Sequence, residues 1–332
     1  MPAERSDEVL DLSRIASERA PASEWSTAAC VAGERSGGAP ASERSAAASV
    51  AGERKTWRQL HAETALAVDD RVTARWLCEV ASGADRVEDV LDEPATPRMV
   101  AHLDDMVDRF RGGEPLAYVL GRWTFRYVDL AVDRRVLIPR PETEVVAGTA
   151  IDLARTLPHP VTLADLGTGS GAIGLALAQE LPIDGVTVWL TDTGAEALDL
   201  ARANCAGLGR PAANVRVAGP GSWFDALPRG TVLDLAVSNP PYIADDSPDV
   251  ADSVRGWEPS AALFAGADGL SAIRRIVADA PRWVRPGGWL VLEIGSDQGA
   301  SVDTLLRCAG SDDVEVRPDL AARDRVAVAR VR

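Results

Sequence analysis

Apolar runs alternate with helical patterns in the second half of the chain, from about Glu142 onward. Runs such as "VTLADLG", "VTVWLTD" and "VLDLAVSN" are nearly continuous in apolar residues, and the segments between them repeat apolar residues at helical spacing. Continuous apolar strands are typical of a mostly parallel sheet covered by helices on both faces. We therefore predict an α/β domain whose ligand lies at the carboxyl ends of the strands. Predicted helices cover residues 172–181, 195–208 and 270–284.

A helical pattern without strands precedes this domain. Between residues 57 and 110, apolar residues recur at helical spacing, which predicts a small helical bundle. Gly112, Gly113 and Pro115 end the last helix. The aromatic and β-branched residues of "WTFRYVDLAVDRRVLIP" then predict a hairpin that links the two domains.

The first part of the chain contains a duplication, in which "PASEWSTAACVAGER" is followed by "PASERSAAASVAGER". Two copies are too few for a solenoid, and a segment with almost no large apolar residues cannot bury a core. We expect a disordered or weakly helical extension. The predicted parts are the extension (1–55), a helical substrate-recognition domain (56–112), a hairpin linker (113–141) and the α/β domain (142–332).

Charge and composition exclude several classes of protein. The 332-residue chain has a formal net charge of −15, which argues against a broad, non-specific grip on nucleic acid. Its four cysteines are scattered without C-x-x-C pairs, so no disulfide framework and no metal site is expected. No run of 18 apolar residues and no signal-peptide pattern is found. We expect a soluble, cytoplasmic protein that does not bind membranes.

A glycine-rich segment, "DLGTGSGAIGLAL", follows the first strand of the α/β domain. Glycines between a strand and a helix let the backbone approach a ligand closely. The same segment also satisfies the G-x-G-x-x-G dinucleotide pattern, and Asp192 at the end of the next strand suits the ribose of either NAD or an adenosine cofactor. The carboxylate of Asp165, directly before the loop, would repel a pyrophosphate and attract a sulfonium or ammonium. This favours S-adenosylmethionine over NAD.

Another strand ends in "SNPPY", residues 238–242. The residue before a proline is restricted to extended conformations, which holds Asn239 at the tip of the strand. Pro240 and Pro241 lack N–H donors, so they end the sheet and leave carbonyl groups unpaired. The Asn239 side-chain oxygen and the Pro240 carbonyl would together bind a planar –NH2 group, with the ring of Tyr242 packed against it. This arrangement predicts methyl transfer to an amide or amino nitrogen.

These blocks together resemble the class I methyltransferases with an N-P-P-Y motif. Within that class the chain is similar to the HemK-type family, which methylates a glutamine of peptide chain release factors. The resemblance covers the chain from about Trp57 to its end, through "GEPLAYVLG", "LIPRPETE", "DLGTGSGAIGLALA", "SNPPYI" and "WEPSAALFAGADGL". It implies a Rossmann-like, seven-stranded, mostly parallel sheet joined to a small N-terminal helical bundle, and a substrate glutamine in a Gly-Gly-Gln loop.

The resemblance also implies a role for individual residues. The glycine loop would line the methionine part of the cofactor, Asp192 would bind the ribose and Trp223 would lie beside the adenine. The implied cofactor-binding residues are Asp165, Gly167, Thr168, Gly169, Ser170, Gly171, Asp192, Trp223 and Asn239. The implied catalytic and glutamine-binding residues are Asn239, Pro240, Pro241 and Tyr242, with Arg140 and Glu142 of "IPRPETE" also assigned to substrate binding.

Three features bear on this interpretation. A local salt bridge that braces the linker accounts for Arg140 and Glu142 as well as a direct role does. Ser222 stands before the aromatic pair "WF" where the family usually has an acid, and Ala322 stands where the family tends to have glycine.

Taken together, the sequence predicts a monomeric protein-(glutamine-N5) methyltransferase that converts S-adenosylmethionine to S-adenosylhomocysteine and acts on release factors without binding nucleic acid directly. The alternatives are an amino-directed DNA or RNA methyltransferase and a cofactor-binding interaction module without catalysis. The acidic charge and the lack of a basic target-recognition insert weigh against the first alternative.

Overall fold

The computed structural model describes residues 54–248 and 252–332. The chain divides into two compact units, Met1–Val107 and Asp108–Arg332. The predicted extension lies outside the described residues except for residues 54 and 55, and the predicted domain boundaries stay predictions. Among the described residues, no helix is long and apolar enough to cross a membrane.

The described residues form the following α-helices and β-strands. The helices are α1 (Trp57–Val68), α2 (Arg71–Ser82), α3 (Pro97–Arg111), α4 (Leu116–Leu120), α5 (Pro141–Thr156), α6 (Ala172–Glu180), α7 (Ala195–Leu208), α8 (Asp252–Trp257), α9 (Ser271–Trp283) and α10 (Gly299–Cys308). The strands are β1 (Arg122–Phe125), β2 (Val128–Ala131), β3 (Val161–Leu166), β4 (Val186–Thr191), β5 (Val215–Ala218), β6 (Leu233–Ser238), β7 (Val284–Glu293), β8 (Asp312–Pro318) and β9 (Asp324–Arg330).

In the first unit, α1 and α2 pack against each other around a small apolar core. Asp70 caps α2, because its carboxylate accepts hydrogen bonds from two backbone N–H groups of the first turn. Leu77, Cys78 and Met106 are fully buried. The helical spacing of apolar residues in the sequence therefore corresponds to buried helix faces in this unit.

The second unit contains a two-stranded hairpin, β1–β2, and a seven-stranded sheet of order β5-β4-β3-β6-β7-β9-β8. Strands β3 to β7 pair in parallel, and β9 is antiparallel to both β7 and β8. Side chains alternate between the two faces of the sheet, so Leu163 joins the core cluster under α5 and α6 and Leu166 joins the cluster under α9. Helices thus cover both faces, as the continuous apolar runs predict.

The carboxyl ends of four parallel strands meet at one edge of this sheet. Leu166 pairs with Thr191, and Ser238 pairs with Leu292, so β3, β4, β6 and β7 end at about the same level. The chain leaves β3 toward β4 on one side, whereas β6 pairs with β3 on the other side. Such a switch point opens a crevice at the carboxyl edge of a parallel sheet.

Candidate active site

A cavity of about 380 Å³ lies at this edge of the sheet in the second unit. Its wall includes residues that follow β3, β4 and β6 in the chain. The predicted site residues in the wall are Asp165, Gly167, Thr168, Gly169, Ser170, Asp192, Trp223, Asn239 and Pro241. The structure therefore brings together most of the predicted cofactor residues with Asn239 and Pro241 of the N-P-P-Y motif, whereas Gly171 and Pro240 are not part of the wall.

The glycine loop after β3 turns through three glycines with left-handed backbone angles. Gly167, Gly169 and Gly171 have φ values of +72°, +54° and +89°, a conformation that residues with a Cβ rarely adopt. A Cβ on Gly167 would also lie 3.1 Å from the ring of Trp223. Gly174 has a different purpose, since a Cβ there would lie 2.0 Å from Leu190. Gly167 and Gly169 shape the cavity wall, and Gly174 lets α6 pack closely on β4.

Asp165 is buried at the carboxyl end of β3, where it forms part of the cavity wall. Its Oδ2 accepts hydrogen bonds from Thr168 Oγ1 at 2.6 Å and from the backbone N–H of Gly174 at 2.9 Å. Its Oδ1 has no hydrogen-bond partner among the described residues. Burial, together with the nearby charge of Asp192, raises the pKa of Asp165 to about 6. A cationic group with N–H donors in the cavity would supply the missing hydrogen-bond partner of Oδ1.

Asp192 follows β4, and its carboxylate is held by two backbone N–H groups. Oδ2 accepts from Gly169 at 3.0 Å and Oδ1 accepts from Gly194 at 2.8 Å. Each carboxylate oxygen has a second acceptor position, so a pair of ligand hydroxyls could still bind here. Trp223 lies with its ring edge against Gly167, and Ser222 beside it also borders the cavity.

The N-P-P-Y segment continues from β6 and is anchored beyond the motif. Ile243 forms a parallel bridge with Phe264, which fixes where the segment leaves the sheet. Asn239 and Pro241 line the cavity, whereas the side chain of Tyr242 is not part of its wall. The Tyr242 hydroxyl instead donates to Glu293 Oε1 at 3.2 Å. Stacking of the substrate on Tyr242 therefore stays a prediction.

Among the described residues, the Asn239 side-chain oxygen and the Pro240 carbonyl have no hydrogen-bond donor. The two prolines cannot supply one, because neither has a backbone N–H. The pair of free acceptors that the motif predicts is therefore compatible with the structure at the end of β6.

Arg140 does not line the cavity but pairs with Glu258, with Nη2 2.5 Å from Oε1. Glu258 is almost fully buried, and its Oε2 also accepts from the backbone N–H of Ile138 at 3.1 Å. The pair joins the segment before α5 to the segment that contributes Pro259 to the cavity wall. This ion pair spans 118 positions of the chain, whereas the alternative for Arg140 and Glu142 was a local salt bridge. Glu142 does not line the cavity either. Its negative charge contributes to the raised pKa of Tyr242 and of Glu293.

Comparison with known proteins places this site in a family. Residues 57–121 match the model of the PrmC N-terminal domain, and residues 142–254 match that of the methyltransferase small domain. The release factor glutamine methyltransferase of Xylella fastidiosa is 45% identical over 72% of this chain and 84% of its own length. Those of Burkholderia pseudomallei and Vibrio cholerae are each 42% identical, covering 79% and 71% of this chain and 92% and 79% of their own lengths.

The chain belongs to the release factor glutamine methyltransferase family. The predicted family and the predicted class I methyltransferase fold are therefore confirmed. Among solved structures, the release-factor-specific protein-(glutamine-N5) methyltransferase of Alicyclobacillus acidocaldarius is 27% identical, with a TM-score of 0.37 over 58% of this chain and 94% of that chain.

The sequence did not single out two residues that the structure connects to the N-P-P-Y motif of this family member. Asn239 Nδ2 donates to Thr143 Oγ1 at 3.2 Å, and Thr143 Oγ1 donates to Glu293 Oε2 at 2.7 Å. Thr143 lies in the first turn of α5 within "LIPRPETE", and Glu293 is the last residue of β7. Asp165 and Asp192 each lie within one residue of the end of an apolar strand, and Glu293 also ends an apolar strand. This position in the sequence could have identified Glu293 as a candidate site residue.

Proposed function

We propose that this protein transfers a methyl group from S-adenosylmethionine to the side-chain amide nitrogen of the glutamine in the Gly-Gly-Gln loop of peptide chain release factors. The observation that carries the proposal is the position of Asn239, which lines a cavity with a buried carboxylate and whose side-chain oxygen has no donor among the described residues. Membership of the family supplies the substrate class.

The residues of the cavity fit the cofactor. The unpartnered Oδ1 of Asp165 suits the ammonium of a methionine group, and an unpaired buried carboxylate oxygen would otherwise be costly. The second acceptor positions of Asp192 suit two ribose hydroxyls, and the ring of Trp223 offers an apolar surface for a purine. When bound, S-adenosylmethionine supplies an electrophilic methyl group on sulfur and leaves as S-adenosylhomocysteine.

The acceptor side has to activate a weak nucleophile. The lone pair of an amide nitrogen is delocalised into its carbonyl, so the nitrogen gains positive charge as the new C–N bond forms. Asn239 Oδ1 and the Pro240 carbonyl would each accept one N–H hydrogen bond, and these bonds strengthen as that charge develops. The same two bonds orient the nitrogen toward the methyl group. The nitrogen releases one proton after transfer, so no residue has to remove it beforehand.

We infer a cytoplasmic location, because release factors act there; the monomeric state stays a prediction. An amino-directed nucleic-acid methyltransferase would use the same acceptor pair, since a base amino group also offers two N–H donors. The formal charge of −15 is the feature of this chain that favours a protein substrate.

One methylation assay tests the proposal against both alternatives. The protein is incubated with methyl-labelled S-adenosylmethionine and a bacterial release factor, the same factor with its loop glutamine changed to alanine, or DNA. We expect label in the unmodified release factor alone. Label in DNA or in the glutamine-to-alanine factor would contradict the proposal. Cofactor binding without transfer to any of the three would indicate a non-catalytic module.

A further inference from the structure

Glu293 is fully buried close to Asn239, at the part of the cavity where the methyl acceptor would bind. It ends β7, which pairs in parallel with β6; Ser238, the last residue of β6, pairs with Leu292, so Glu293 and Asn239 each directly follow this last pair. Thr143 of α5 lies between the two side chains and is itself part of the cavity wall. A buried carboxylate is therefore linked to the amide of the N-P-P-Y motif through one hydroxyl group.

The direction of this link follows from counting hydrogen atoms. The Thr143 hydroxyl has a single hydrogen, which it donates to Glu293 Oε2 at 2.7 Å. Toward Asn239 the hydroxyl oxygen is then an acceptor, so it must face the –NH2 end of the amide, at 3.2 Å. An ionised carboxylate can only accept, which keeps the hydroxyl hydrogen on its side. The oxygen of the Asn239 amide therefore points away from Thr143 and is free to accept a hydrogen bond from a substrate.

The two ends of an asparagine amide have nearly the same shape but opposite hydrogen-bonding character. A flipped Asn239 would present N–H groups to a substrate nitrogen that also carries N–H groups. The backbone does not select between the two orientations, because the restriction imposed by Pro240 acts on the backbone of Asn239 and not on the end of its side chain. A fixed partner is needed to select one of them.

We propose that Glu293 is a positioning residue that acts through Thr143 to hold the Asn239 amide with its oxygen toward the methyl acceptor; the inference rests on the proposed function of this site.

The titration of Glu293 gives the link a pH dependence. The groups that face Glu293 are Glu142 and Thr143 from α5, Tyr242 from the segment after β6, and Arg325 from β9. Burial raises the pKa of Glu293 to about 7, with a further contribution from the charge of Glu142; the bonds from Thr143 and Tyr242 and the charge of Arg325 oppose the rise.

Protonation reverses the hydrogen count. A carboxyl protonated on Oε2 can donate to Thr143, whose own hydrogen is then free to turn toward Asn239. In that state Thr143 donates to the amide oxygen of Asn239, and this oxygen no longer faces the methyl acceptor. Methyl transfer should therefore fall as the pH falls through the pKa of Glu293. The pKa of Asp165 is also raised, but Asp165 lines the cavity where the proposed cofactor would bind, so its titration should appear in the KM for cofactor and not in kcat.

The first test compares kcat for a release factor at saturating labelled S-adenosylmethionine from about pH 6 to about pH 8 in wild type and Glu293→Gln. We expect kcat of the wild type to fall below about pH 7. Glutamine can still accept from Thr143 and cannot titrate, so Glu293→Gln should lack this acidic limb and keep measurable kcat. An unchanged acidic limb in Glu293→Gln would overturn the inference.

The second test uses hydroxyl variants of α5. Thr143→Val should lower kcat by about 10- to 100-fold, as for other residues that orient a functional group, with the KM for cofactor unchanged. Thr143→Ser keeps the hydroxyl and should restore most of kcat. Thr149→Val is the matched control, because Thr149 is a buried threonine of the same helix whose hydroxyl, among the described residues, binds only the Val145 carbonyl. Wild-type kcat in Thr143→Val would contradict the link.

A third measurement separates this inference from the proposed function. The chain has three asparagines, Asn204, Asn214 and Asn239, so a protein labelled with ¹⁵N-asparagine gives a simple side-chain amide spectrum. The Asn239 signals, identified by their loss in Asn239→Ala, should titrate near pH 7 in wild type and not in Glu293→Gln. A wild type that methylates no release factor would refute the proposed function, whereas Asn239 signals that do not titrate would refute the link.

Discussion

Two buried acids, Asp165 and Glu293, lie at the carboxyl ends of strands in one sheet and differ in their hydrogen bonds. Both are almost completely inaccessible, at 1% and 0% exposure, and burial raises the pKa of both. The oxygens of Glu293 both have protein partners, Thr143 and Tyr242. Asp165 keeps one oxygen without a partner. The comparison shows that equal burial does not mean an equal role, because the free oxygen can receive a ligand and the paired oxygens can only orient a neighbour.

The largest expected effect distinguishes the part of the cavity at Asn239, the acceptor end, from the part at Asp165 and Asp192, the cofactor end. Asn239→Ala removes one of the two acceptors that stabilise the developing charge, so methyl transfer should fall by about 10²- to 10³-fold. Cofactor binding should weaken only modestly, because Asp165 and Asp192 remain in place. Labelled-methyl transfer and calorimetric titration with S-adenosylmethionine measure the two effects. Near-normal turnover in this variant would show that the N-P-P-Y segment does not hold the substrate nitrogen.

Asp165→Asn should have the opposite pattern. The variant keeps the shape of the side chain but removes the negative charge, and a hydrogen bond to a charged group contributes about 1.5–3 kcal/mol. The affinity for S-adenosylmethionine should therefore fall by roughly 10- to 100-fold, while kcat at saturating cofactor changes less. Calorimetric titration and saturation kinetics give the two numbers. An unchanged affinity would mean that the free oxygen of Asp165 does not face the cofactor.

The same variant has a stability effect with a defined sign. The pKa of Asp165 is about 6 in the folded protein and 3.8 ordinarily, so the native state keeps a proton that the unfolded chain has lost. The contribution of Asp165 to the stability of wild type is thus largest below about pH 4 and is lost as the pH rises from about 4 to about 6. Asp165→Asn does not titrate, so its free energy of unfolding relative to wild type should increase by roughly 2–3 kcal/mol across this interval. Urea denaturation at each pH measures the difference, and the titration of Glu293 cancels because both proteins contain it.

The sequence predicts most of the sheet and the glycine loop because their signals are local. Apolar runs and glycines with positive φ are set by neighbours in the chain. Helix α5 was not predicted, although Pro141 at its first turn and the acids that follow are ordinary start signals. Its apolar residues are interspersed with threonine, glycine and alanine, which weakens the pattern.

The positioning residues of the site escaped prediction for a different reason. Glu293 binds Thr143, 150 positions away, and Tyr242, 51 positions away. Glu258 and Arg140 are 118 positions apart. Such contacts depend on the order of strands in the sheet, and no local pattern carries that order. The residues predicted for the site were those that a motif names, and the contacts through which other residues orient them become visible only in the folded chain.

The smallest expected effect tests why residue 167 is a glycine. The reason is either the close contact with Trp223 or only the left-handed backbone conformation. Gly167→Ala introduces a Cβ at a φ of +72° and 3.1 Å from the ring of Trp223. Gly230→Ala is the matched control, since its φ is +84° with no atom within 4 Å of the added Cβ. Each variant should lose about 1–2 kcal/mol of stability from the left-handed backbone.

The two glycine variants should then diverge in cofactor binding. In Gly167→Ala the ring of Trp223 must move to admit the new methyl group, and this ring borders the cavity. Affinity for S-adenosylmethionine should therefore fall in Gly167→Ala by several fold, whereas Gly230→Ala should bind as wild type does. Thermal unfolding and calorimetric titration of both proteins provide the comparison. Equal affinity in both would mean that Trp223 and Gly167 pack together without shaping the cofactor site. Cofactor binding would then depend on Asp165 and Asp192.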